Sequence, residues 1–249
     1  MHDYDRILKK IEFDFNLLDE KFKKNAVKLA LNHPKEVTPL LMKLLQPATQ
    51  KPGNMDISYN GHVYAMYLLT NFKEPKAFFL FLQITQLTEN ELDLDLDDFI
   101  TYNLHRFLAC TYFDNFKELS EIAESPVSTI WAKHIVLNAM LMLVLTNKLS
   151  KNFAREYFKG LFNYPSYSID NENYLTLIRI CYDFDAKYFF NTISKALLID
   201  NITGFGITKS SLNMQVLNIK EESISDFTKD YTLINDVISE MNNLSCFEN

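Results

Sequence analysis

Apolar residues along this chain recur at spacings of three and four, the period that puts them on one face of an α-helix. One such pattern returns four times. It opens at Gly61 in the run GHVYAMYLL, residues 61–69, and looser copies begin at Leu104, Trp131 and Tyr174. Intervals of about 30–45 residues belong to stacked helical hairpins, in which one hairpin cannot bury its apolar face alone and packs on the next. The expected fold class is therefore all-α, a stack of antiparallel helix pairs.

Start signals place the corners. The first pair is expected at residues 19–31 and 34–45, with Pro34 and, further on, Pro75 at first helical positions, where a missing N–H costs nothing. Ser125-Pro126 looks like an N-cap followed by a first-position proline, and Ser150, Asp170 and Asp185 are further starts. Residues 46–59, with Pro47, Pro52 and Gly53, read as a long loop, and residues 201–209 as a second break. About eight helices are expected in residues 61–198. The alternation of Leu and Asp over residues 92–97 mimics a strand, yet Leu92, Leu96, Phe99 and Ile100 also share a helical face, and a short helix is expected. At the end, Ile224, Phe227, Tyr231, Ile234, Ile238 and Met241 make one amphipathic stripe. The expected division is a repeat domain over residues 1–220 and a capping helix with tail over 221–249, whose polar outer face closes the stack.

The chain has 249 residues, 47% of them hydrophobic, which suits a sizeable core and excludes a disordered chain. A net charge of −7 argues against a nucleic-acid surface, which needs clustered Lys and Arg. Two stretches are acidic, residues 89–98 and 221–249, and a basic partner is the one they attract. Cys110, Cys181 and Cys246 are far apart and odd in number, as free thiols of a reducing compartment are. No signal-like stretch marks the first residues, and the longest apolar run, residues 135–145, is too short for a membrane span. The expected location is the bacterial cytoplasm, with no membrane partner.

Chemistry-bearing residues are few. His62 and His105 hold equivalent places in two copies of the repeat, so stacking can bring both to one groove beside Asp97 and Asp98. No H-x-x-x-H or E-x-x-H spacing supports a metal there, and the expectation is no metal and no cofactor. The series Asp93, Asp95, Asp97 fails as a calcium loop, because Asp98 and Leu104 stand where Gly and Glu are required. Arg106 and Arg179 lie in apolar surroundings and require carboxylates: Asp97 or Asp98 for the first, Asp183 one turn on for the second. No nucleophile motif or phosphate-binding loop is present, so no catalytic residue is assigned.

Residues 32–41, 61–69, 97–101 and 103–109, continued by 149–162, resemble a bacterial family known only as a domain of unknown function, over roughly residues 5–225. The resemblance implies a HEAT-like α–α superhelix and no established activity. Some members of that family continue into a cysteine-rich zinc tail of the SEC-C type; Cys246 stands alone, so zinc is not carried over. The function expected is a protein- or peptide-binding scaffold without catalysis, its groove formed by Tyr59, His62, Tyr64, Tyr67, Asp95, Asp97, Asp98, His105 and Arg106. The alternatives are an enzyme or metal-binding protein using the His/Asp/Arg part of that groove, and a secreted bacterial effector.

Overall fold

The computed structural model describes residues 2–18, 21–50, 59–87, 98–168, 172–198, 207–217, 231–244 and 246–247. Every regular element among them is helical, as the spacing predicts; the one β-type pairing is an isolated bridge between Leu18 and Tyr59. The chain divides into two units, one of Met1–Asp114 with Leu233–Asn249 and one of Asn115–Thr232.

The first unit contains α1 (His2–Phe15), α2 (Lys24–Leu31), α3 (Pro34–Gln50), α4 (Gly61–Asn71), α5 (Pro75–Thr85) and α6 (Asp98–Thr111). The second contains α7 (Phe116–Glu124), α8 (Ile130–Leu145), α9 (Lys151–Leu161), a 3-10 turn (Pro165–Tyr167), α10 (Glu172–Asp185), α11 (Phe190–Ala196) and α12 (Lys209–Leu217). The last helix, α13 (Val237–Met241), returns to the first unit.

Each unit is built around one helix with no polar face. In α4 every residue from Gly61 to Thr70 is buried, under α2, α3, α6 and α13. In α8 burial runs unbroken from Ile135 to Val144, under α7, α9 and α10. A helix apolar all round has no solvent side and folds only when neighbours cover it, so these two runs fix where each core lies. Neither they nor any other described helix is long and apolar enough to cross a membrane. The capping signals act where short polar side chains precede the apolar period. Ser150 Oγ accepts from Phe153 N at 3.1 Å, and Glu74 accepts from Lys76 N ahead of Pro75.

Several expectations change. Residues 2–15 form α1, which the spacing does not announce, because a run so rich in charge buries little besides Ile11 and Phe15. Helix α3 does not stop at residue 45 but runs through Pro47 to Gln50; Ala48 is buried, so packing outweighs the lost hydrogen bond. Ser125-Pro126 does not start a helix. Ser125 ends α7, its Oγ accepts from Val127 N in the following turn, and Thr129 caps α8 by accepting from Ala132 N at 3.1 Å. Asp185 likewise ends α10, and Oδ1 accepts from Tyr188 N in the turn before α11. The C-terminal stripe is not one helix across its described residues. Residues 232–236 are irregular, and α13 begins only after Asp236, whose side chain accepts from Ser239 N at 3.0 Å. Residues 92–97, Asp170 and the stripe's Ile224 and Phe227 lie outside the described residues.

Candidate binding site

The residues nominated from sequence on α4 sit in the interior of the first unit, not along an open groove. Tyr59 is half-buried before α4, and its hydroxyl donates to the Leu44 carbonyl at 3.3 Å. Burial pushes its pKa up to about 12. His62 is 4% exposed. Burial drives its pKa down to about 4, against the opposing pull of a hydrogen bond to the Tyr59 backbone, and its Nδ1 has no hydrogen-bond partner. An imidazole sealed in this way stays neutral and is out of reach of a substrate.

Gly61 lets Tyr59 lie against the helix start. A Cβ at this position would come within 2.4 Å of the Tyr59 hydroxyl and 2.5 Å of Cζ. Ala is the better helix former by roughly 1 kcal/mol, but overpacking costs about 1–3 kcal/mol, so the clash wins. Gly61→Ala should lower stability by about 1 kcal/mol, read as a shifted urea midpoint. In a Tyr59→Ala background the same substitution should be neutral or stabilising; an equal loss in both backgrounds would rule the clash out.

Tyr64 and Tyr67 face the other way along α4. Tyr64 stacks on Phe15 with ring centroids 4.3 Å apart and planes 4° from parallel, while its hydroxyl accepts from Lys23 N at 3.0 Å. Phe247 closes over the same ring at 5.1 Å and meets Phe22 at 5.4 Å. Tyr67 sets its ring edge against Phe107 at 5.2 Å.

Arg106 supplies the charge beside these rings. Its Nη1 and Nη2 donate to the two carboxylate oxygens of Glu240 at 2.8 and 2.9 Å, and Nη1 also donates to Asn103 Oδ1 at 2.7 Å. This fork is nearly out of water, with side-chain exposures of 13% for Arg106 and 26% for Glu240. Burial first, and the Glu240 carboxylate second, hold the Tyr67 phenol well above its ordinary pKa.

The structure thus joins Tyr64, Tyr67 and Arg106 through the C-terminal segment. His62 stands apart with Tyr59, and His105 is half-buried on α6. Asp95 and Asp97 lie outside the described residues, and of Asp98 only its place at the start of α6 is described. Among the described residues the carboxylate on Arg106 is Glu240, brought there by a return of the chain across 134 residues that local spacing does not encode; the side chains of the expected Asp97 and Asp98 lie outside the described residues. Sequence reasoning misses Glu240, Phe247, Phe22 and Asn103, and only the apolar setting of Arg106, which requires a carboxylate, points toward the first of them. The second expected pair is present: Arg179 Nε donates to Asp183 at 2.6 Å. Asp183 Oδ1 is buried without a partner, and burial raises the pKa of that carboxyl to about 7 despite the arginine. None of the three cysteines forms a disulfide, and among the described residues no three His, Cys, Asp or Glu side chains converge to hold a metal.

The sequence model described as protein of unknown function (DUF1186) matches residues 3–248. The chain belongs to that family. A relative in Chlamydia trachomatis serovar D, described as an uncharacterized protein, is 30% identical over 251 residues, covering 94% of this chain and 93% of its own length. Another from Chlamydia muridarum, with the same description, is 29% identical and covers 94% of each chain. No solved structure matches this DUF1186 chain.

Proposed function

We propose that the chain is a HEAT-like helical-repeat scaffold that binds a protein or peptide and performs no chemistry of its own. Consecutive helices pack as pairs, α1 on α2, α3 on α4, α5 on α6, α7 on α8 and α10 on α11, which is the neighbour-to-neighbour pattern of repeat proteins. The observation that carries the binding reading is in the first unit. Its helices α2, α4 and α6 take hold of a segment distant in sequence by the means used at peptide grooves: apolar side chains sunk between helices and one bidentate arginine–carboxylate pair. Of the two histidines that the catalytic alternative would use, His62 is sealed in the interior beside Tyr59 and stands apart from Arg106, which speaks against that alternative.

Cross-linking of the full chain in cells that express it natively, followed by mass spectrometry, tests the proposal. One protein should be recovered repeatedly through Lys23 or Lys24, which follow Phe22 at the edge of the first unit. Links confined to the second unit, or no partner at all, would overturn it.

A further inference from the structure

The segment already seated on the first unit identifies the chemistry of what that unit binds. Residues 233–247 are held at one side by Ile234, Val237, Met241 and Phe247, all buried, while Asn235, Asp236, Ser239 and Asn243 face solvent. The segment contains a single helix of five residues, α13, too short to stand without the surface beneath it. What it rests on is made by the rest of the unit. Tyr64 is stacked on Phe15, Tyr67 is set against Phe107, and Arg106 is braced by Asn103, and none of these contacts involves the segment.

The geometry points to a groove for amphipathic segments that carry a carboxylate on Arg106 and an aromatic ring on Tyr64, with residues 233–247 as its resident, displaceable occupant. The inference rests on the binding reading above and names the partner's chemistry: an acidic residue flanked by aliphatic side chains, followed by an aromatic one. Arginine is the group suited to this task. Its planar fork matches both carboxylate oxygens at once, and a ligand lacking that carboxylate forfeits two charge-assisted hydrogen bonds to a largely buried cation. The resident segment competes from within the same chain, at an effective concentration of roughly millimolar, so a partner in solution binds only when it matches the pattern better or when the segment is weakened.

A labelled synthetic peptide of residues 231–249 is the probe, titrated by fluorescence anisotropy against the full chain. It should bind weakly to the unaltered chain and about tenfold more tightly to Glu240→Gln, in which the internal competitor has lost its charge but the groove is intact. A peptide carrying the same Glu240→Gln change should lose that gain, and so should the intact peptide on Arg106→Gln. Equal affinity of the native peptide for the unaltered and Glu240→Gln chains, or no dependence on Arg106, would overturn the inference. A chain ending at Thr232 provides the second arm: folded by circular dichroism and binding the peptide more tightly than any variant, it supports displacement. Unfolded, it makes the segment part of the core and overturns displacement. Failure of these titrations leaves the search for a cellular partner standing, and an empty cross-linking experiment leaves the titrations standing, so the two proposals fail separately.

Discussion

Lys133→Met should raise the unfolding free energy of the second unit by about 2 kcal/mol at neutral pH. Lys133 is 1% exposed on α8, and its Nζ has no hydrogen-bond partner. Its companion is the face of Tyr167, 5.2 Å from Nζ, a ring whose hydroxyl is engaged in donating to the Ala123 carbonyl at 2.8 Å. A desolvated cation over a ring recovers roughly 1–2 kcal/mol, whereas removing an ammonium from water costs several, so the lysine is a net burden on the core it occupies. Methionine keeps the length and the apolar stem without the charge. The substitution also removes a pH dependence. Burial lowers the Lys133 pKa, so the folded state holds fewer protons than the unfolded one as pH rises toward the ordinary lysine value. That linkage makes the native protein gain stability toward alkaline pH and lose it as pH falls through the depressed value, and the Met variant should lack the slope. Trp131, the only tryptophan, stands two residues away, and its fluorescence during urea unfolding reports on this unit. An unchanged or lowered midpoint would mean that Lys133 is neutralised by something other than burial.

The first unit should come apart in acid, and His62 should be the reason. Its folded pKa of about 4 lies below the usual imidazole value of about 6.5, so the folded state refuses a proton that the unfolded state accepts. The stabilisation is complete above about pH 6.5 and is lost as pH falls toward 4, a drop on the order of 3 kcal/mol for a shift of this size. His62→Gln retains an N–H able to reach the Tyr59 carbonyl and does not titrate in that range, so its stability should be nearly flat from pH 7 to pH 4. Hydrogen exchange of the α4 amides, followed across that range, makes the comparison in the unit concerned. Equal acid sensitivity of the unaltered chain and the His62→Gln variant would assign the effect to another group.

How much can be seen in the amino-acid order depends on how far apart the interacting residues lie. The places of α4 and α8 are legible from the repeat that opens at Gly61 and Trp131, though their cover on every side is not, and the Pro34, Pro75 and Ser150 starts are legible because each acts within one turn of itself. The Arg179–Asp183 pair is legible for the same reason, being one helical turn apart. The Ser125-Pro126 signal fails because two capping residues, Ser125 and Thr129, stand four apart, and the one that accepts from a helix N–H is the second. The long C-terminal stripe fails because its three- and four-residue spacing continues across Asp236, where the capping hydrogen bond begins a new helix. Of the nominated site, Tyr64, Tyr67 and Arg106 do share a neighbourhood, but what unites them is Glu240 and Phe247, and no local rule reaches across that separation. Lys133 looks like a polar break in an apolar run, and only the surrounding helices reveal that it has no route to water.

The interruption of the first unit by the second sets an order of assembly. Residues 233–247 are synthesised after the whole of 115–232, so the ribosome completes the second unit's sequence while the first still lacks its closing piece. At about 5–20 residues per second, that leaves Tyr64, Tyr67 and Arg106 uncovered on the nascent chain for on the order of ten seconds. During that interval a chaperone, or the chain's eventual partner, meets the surface before its own tail does.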